Sequence, residues 1–157
     1  MKENNMDIFE SYLQKKQSSN IIKRALTDVS MKSGHYLIPK NQSNADFEIL
    51  GAEILKEALY DRRIRLAMDM GVEAVNMKRE APFADKQLVE KIGKHYDILK
   101  YIDYNKMNTT LLPEYKRSPC SRHILAAVKA MITAIYKEEN YNLSPIENII
   151  VEWRELL

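Results

Sequence analysis

The chemistry-bearing residues of this chain are densest in one short stretch, Lys116-Arg117-Ser118-Pro119-Cys120-Ser121-Arg122-His123, directly ahead of an apolar run. A Ser-Pro pair suits a helix start, with proline at the first helical position. The first turn of a helix presents unpaired N–H groups and the positive end of the helix dipole, which together attract anions. Lys116, Arg117 and Arg122 would add charge there. Ser118, Ser121 and His123 would add donors, making a set suited to a phosphate or a carboxylate. A carboxylate from another helix of the same chain would satisfy that set equally well, leaving only a capped helix start flanked by solvated bases.

In the same stretch five residues separate Arg117 from His123. This spacing resembles the Arg-x4–6-His element of HEPN-type ribonucleases, which are also small all-helical domains. The resemblance covers these two residues. It implies His123 as general base on a ribose 2′-hydroxyl and Arg117 as the group that holds the phosphate. Where that element carries Asn, Asp or His after the arginine, this chain has Ser118 and then Pro119.

Other chemistry finds little footing. The histidines are His35, His95 and His123, with no ExxH or HxxxH pair among them, and there is a single cysteine, Cys120. A zinc site built from neighbouring residues and a di-iron carboxylate bundle both lack their ligand spacing. Phosphate-binding glycine loops and a GxSxG nucleophile turn are absent too. No metal, cofactor or catalytic residue is assigned, and the chain reads as non-enzymatic.

Two basic groups bear on nucleic acid. Val72–Lys78, a break, and a helix from Asp85 could form a helix-turn-helix, exposing Lys86, Lys91, Lys94 and Lys100 on its second member. Glu90 and Asp97 interleave with those lysines, as on a solvated face. The break carries Pro82 and is longer than the usual three or four residues. The second group, Arg62 and Arg65, sits mid-helix near Asp61 and Asp69, which dilute it because residues four apart share a face.

The elements that must position these residues are all helical. Asn5 can cap a first helix to about Lys16 with the stripe Ile8, Phe9, Tyr12 and Leu13. A second carries Ile22, Leu26 and Val29 and stops at Gly34. Residues 1–34 are expected to form an arm that packs on the main body or on a second copy of it, 35–45 a loop or linker, and 46–157 the core. A long helix opens at Asp46 and runs to Met70, with Leu55, Leu59, Leu66 and Met70 on one face and Phe47, Leu50, Ile54 and Ala58 on the next. Gly51 inside it costs about 1 kcal/mol of propensity relative to Ala. The helix from Asp85 has the stripe Leu88, Ile92, Tyr96 and Leu99. Ile124–Tyr136 is apolar apart from Lys129 and Thr133, and a helix apolar nearly all round must be wrapped by others. Ser144-Pro145-Ile146-Glu147 has the pattern of a capping box. The expected fold is all-α, a single compact domain of about seven helices around residues 124–136.

Composition narrows the function classes. With 24 basic and 22 acidic residues in 157, bulk electrostatic capture of nucleic acid or anionic lipid is disfavoured. A single cysteine and the lack of a signal core or an apolar span point to a cytoplasmic protein with no membrane contact. Nine tyrosines and eight methionines are types enriched at interfaces. Phe9, Tyr12, Leu13, Trp153 and Leu157 are therefore candidates for contact with a protein partner or a second copy. The reading that breaks fewest observations is a small binding or regulatory protein, an adaptor, inhibitor or subunit. The alternatives are a nucleic-acid-binding regulator and a HEPN-like ribonuclease.

Overall fold

The computed structural model describes residues 7–70, 83, 85–105 and 120–157. Among them run six α-helices: α1 (Ile8–Leu13), α2 (Asn20–Ala25), α3 (Ala45–Met70), α4 (Lys86–His95), α5 (Cys120–Glu138) and α6 (Ser144–Glu155). A small antiparallel hairpin, β1 (Lys32–Ser33) and β2 (Tyr36–Leu37), stands between α2 and α3. The expected helix Val72–Lys78 lies outside the described residues.

The apolar run forms α5, and its surroundings follow from its composition. Ile124, Ala126–Val128 and Ala130–Ile135 are all buried, touched by α2, α3, α4, α6 and the short 3-10 turn Ile98–Tyr101. Thr133 is tolerated inside because its hydroxyl donates to the Phe47 carbonyl at 2.6 Å. Lys129 is only partly covered. Among the described elements, α3 and α5 share the most extensive contact. Gly51 explains how: a Cβ there would stand 1.8 Å from the Lys129 carbonyl oxygen. The glycine that weakens α3 as an isolated helix is what lets two backbones cross this closely.

Residues 7–34 pack into that core. Phe9, Leu13, Ile22 and Leu26 are fully buried. Phe9 meets Trp153 of α6 edge-on at 5.3 Å and Tyr96 at 4.9 Å, and Phe83 also meets Trp153 edge-on at 5.2 Å. The start of α1 has no cap from Asp7. Glu152 of α6 does that work instead, accepting from the Ile8 N–H at 2.5 Å, the Phe9 N–H at 3.2 Å and the Tyr96 hydroxyl at 2.5 Å. Burial, then the Glu152 carboxylate, push the Tyr96 phenol well above its usual range, so it remains a donor. Glu152→Ala orphans three donors. It should cost about 2–3 kcal/mol in chemical denaturation, whereas Glu155→Ala on the exposed side of α6 should change almost nothing.

Several boundaries differ from expectation for local reasons. The second helix ends at Ala25 rather than near Gly34, because the chain turns to bridge the Thr27 and Asp103 backbones. Gly34 is the tip of the hairpin, at φ +67°, not a helix stop. The stripe from Leu88 to Leu99 is broken by Asp97 in the left-handed region. Val89, Ile92 and Tyr96 are buried there and Leu88 is exposed. The capping box at Ser144 does not form: Asn142 accepts the Ser144 N–H at 3.0 Å, and Glu147 reaches across to Arg65 of α3. On α3 itself Leu55, Ala58 and Leu59 face the core, while Leu50 and Leu66 face outward.

Candidate functional site at the start of α5

The first turn of α5 is held by three acids from three different elements. Ser121 donates its hydroxyl to Glu90 of α4 at 2.7 Å. That hydroxyl, followed by Lys94 at 3.0 Å, keeps the Glu90 carboxyl below its ordinary value. Arg122 pairs with Glu48 of α3 at 3.3 Å, beside a surface groove of about 500 Å³ lined by Ala45, Ile49, Ala52 and Lys129. His123 puts Nδ1 3.1 Å from Asp28, which lies in the turn after α2.

The third contact is the most enclosed. Asp28 is 2% exposed and His123 9%. The Tyr104 ring covers the imidazole at 4.8 Å between centroids. Asp28 also accepts the Ser30 N–H at 2.9 Å, and its backbone is fixed by the Asp28 N–H to the Asp103 carbonyl at 2.8 Å. Burial alone would raise the Asp28 carboxyl; the His123 ring and the Ser30 N–H outweigh it, so the group sits below its ordinary value. A carboxylate next to a histidine nitrogen is the starting placement for a general base, but Nδ1 is not aligned for a hydrogen bond to Asp28. Of the remaining expected members, Lys116, Arg117 and Ser118 lie outside the described residues.

The basic groups are distributed rather than gathered. Arg65 bonds Glu147 of α6 and pairs with Asp61 at 3.3 Å. Arg62 lines a second groove of about 280 Å³ together with Asp69, Glu147 and Asn148. Lys94 pairs with Glu90, and Lys100 lies 3.9 Å from Asp97. Lys86 and Lys91 are exposed on α4. Of the residues expected at an interface, Phe9, Tyr12, Leu13 and Trp153 are buried in the chain's own core, since α1 packs on α6; Leu157 is half-exposed.

Comparison with protein-family models, curated proteins and solved structures finds no match. The chain's own geometry therefore carries the functional reading.

Two features were not marked by the sequence patterns. Asp28, Glu48 and Glu90 are the acceptors that hold the α5 start, and no local spacing ties any of them to it. The other is the outward face of α3, where Ile49, Ile64 and Met68 stand in solvent with Leu50. These three fall on neither expected stripe, and apolar residues left over from a stripe are the available signal. Among the described residues no three His, Cys, Asp or Glu side chains group as metal ligands, and no helix is long and apolar enough to cross a membrane.

Proposed function

We propose that this chain is a helical binding protein, an adaptor, inhibitor or regulatory subunit in a cytosolic setting, that works through protein–protein contacts made by α3. One observation carries the reading. On a helix whose inner face is core, Ile49 is 67% and Met68 80% exposed, and Leu50 and Ile64 accompany them. Large apolar side chains aligned on the outside of a helix are the usual anchors of a protein contact. The polar groups at the start of α5 support it from the other side, because Ser121, Arg122 and His123 already have partners within the chain.

Photo-reactive residues at positions 64 and 68, introduced in the producing cells, should give discrete protein adducts, while position 91 on α4 should not. Equal labelling from both helices, or none from α3, would count against this reading.

A second reading, ribonuclease chemistry, is favoured by the Asp28–His123 pair alone. It requires that the protein cleave RNA and that His123→Ala abolish cleavage with the helical circular dichroism spectrum intact. RNA left whole by the unmodified protein ends it.

A further inference from the structure

We propose that the hairpin β1–β2 docks an acidic, extended segment of a partner protein along the outer edge of β2. The proposal concerns a second surface and does not depend on the role given to α3.

Charge is spread unevenly along this chain. From Ser11 to Ala45 it carries six basic residues and one acid, Asp28, whereas the whole chain has 24 and 22. Asp28 is buried beside His123, so the bases are not offset at the surface of this stretch. Lys16 and Arg24 have carboxylates within 4.0 Å, supplied by Asp103 and Asp46. Lys23, Lys32 and Lys40 are exposed, and among the described residues none of them has an acidic partner. Hydrogen bonds gather this stretch into one unit. The Arg24 Nε donates to the Ser43 carbonyl at 3.0 Å, and the Asn44 side-chain amide to the Ala25 carbonyl at 3.1 Å. The end of α2 and the turn at Lys40 are thereby closed on each other, with the hairpin between them.

The hairpin supplies the other half of the site. Antiparallel ladders alternate bonded and non-bonded pairs. The Ile38 N–H donates to the Met31 carbonyl at 3.0 Å, so the next pair, Lys32 and Leu37, is a non-bonded one. Its N–H and C=O groups turn away from the ladder. Leu37 and its neighbour Tyr36 are both exposed, so the edge of β2 stands in water with its side chains. A donor and an acceptor on one residue are matched by the main chain of an extended peptide, which adds as a further strand. A phosphate backbone offers acceptors only, and the core of a bilayer offers neither and would leave both groups unsatisfied. Charge then selects the peptide. Lys32 lies directly opposite Leu37 and shares its face, and Lys40 follows three residues on, so acidic side chains flanking the added strand find unpaired ammonium groups.

Fluorescence anisotropy of the full chain with a labelled peptide alternating glutamate and valine tests the proposal. Binding should saturate and should weaken as salt rises. The same peptide with lysine in place of glutamate should not bind. Lys32→Glu with Lys40→Glu, both at exposed positions, should keep the circular dichroism spectrum and raise the dissociation constant at least about tenfold. Leu37→Pro removes an outward N–H that the ladder does not use, and should bind about fivefold more weakly than Leu37→Ala, the scale of one hydrogen bond. An acidic peptide that does not bind, a lysine peptide that binds equally, a charge swap without effect, or Leu37→Pro as tight as Leu37→Ala overturns the proposal. Single-stranded DNA of equal charge, or phosphatidylserine vesicles, bound more tightly than the peptide would overturn it too and give the lysines to phosphate.

Discussion

Gly51→Ala should leave the domain largely unfolded, with a loss of more than about 4 kcal/mol. Helix propensity alone predicts the opposite sign, since alanine is better than glycine in a helix interior by about 1 kcal/mol. The difference is the crossing. An added Cβ would lie 1.8 Å from the Lys129 carbonyl oxygen and 2.6 Å from its carbon. A backbone carbonyl in the middle of α5 cannot rotate away as a side chain could. Relief therefore demands that α3 and α5 separate along their shared surface, opening the core at Leu55, Ala58 and Met131. Thermal denaturation followed by circular dichroism measures the effect. Gly34→Ala is the control: it strains a left-handed residue at φ +67° but meets nothing within 4 Å, so it should cost about 1–2 kcal/mol. A Gly51→Ala protein as stable as the parent would mean that the helices do not cross there.

Asp28→Ala should cost about 1–3 kcal/mol, the scale of leaving a buried polar group without its partner. It strands His123 under the Tyr104 ring and frees the Ser30 N–H. The contribution has a pH signature of definite sign. Because the folded carboxyl lies below its ordinary value, its stabilisation is complete above the unfolded value of about 4 and is lost as pH falls through the folded one. Denaturation midpoints of the parent should therefore fall on acidification through that window, and Asp28→Asn should remove part of the slope. A double-mutant cycle with His123→Ala isolates the pair; coupling indistinguishable from zero would show that the two side chains are neighbours only.

Much of the architecture was legible because one segment is extreme. A helix with two non-apolar residues in thirteen has no stable place except among other helices, and α5 lies there. The Asp85 cap was equally readable, since an acceptor side chain just before a periodic stretch has a local job; its Oδ1 takes the Gln87 N–H at 2.8 Å. What could not be read was decided across the chain. The cap of α1 comes from Glu152, more than a hundred residues away, so no local spacing points to it. Gly51 looked like a local defect, because its use is visible only with Lys129 beside it. The site shows the same division. The donors at Ser121, Arg122 and His123 were marked by type and position, whereas the acids that meet them lie in α4, α3 and the turn after α2. Burial of Phe9, Tyr12, Leu13 and Trp153 follows from α1 folding back on α6, which no spacing announces.

The central proposition is that the charged and polar groups at the start of α5 hold the domain together rather than wait for an anionic ligand. Fluorescence anisotropy of labelled duplex DNA, single-stranded DNA and RNA, each at low and high salt, tests it most directly. Ser121 and Arg122 already paired with Glu90 and Glu48, and His123 enclosed beside Asp28, predict no salt-dependent binding at protein concentrations where the domain is folded. Binding that weakens with salt and disappears in Arg122→Ala would contradict it.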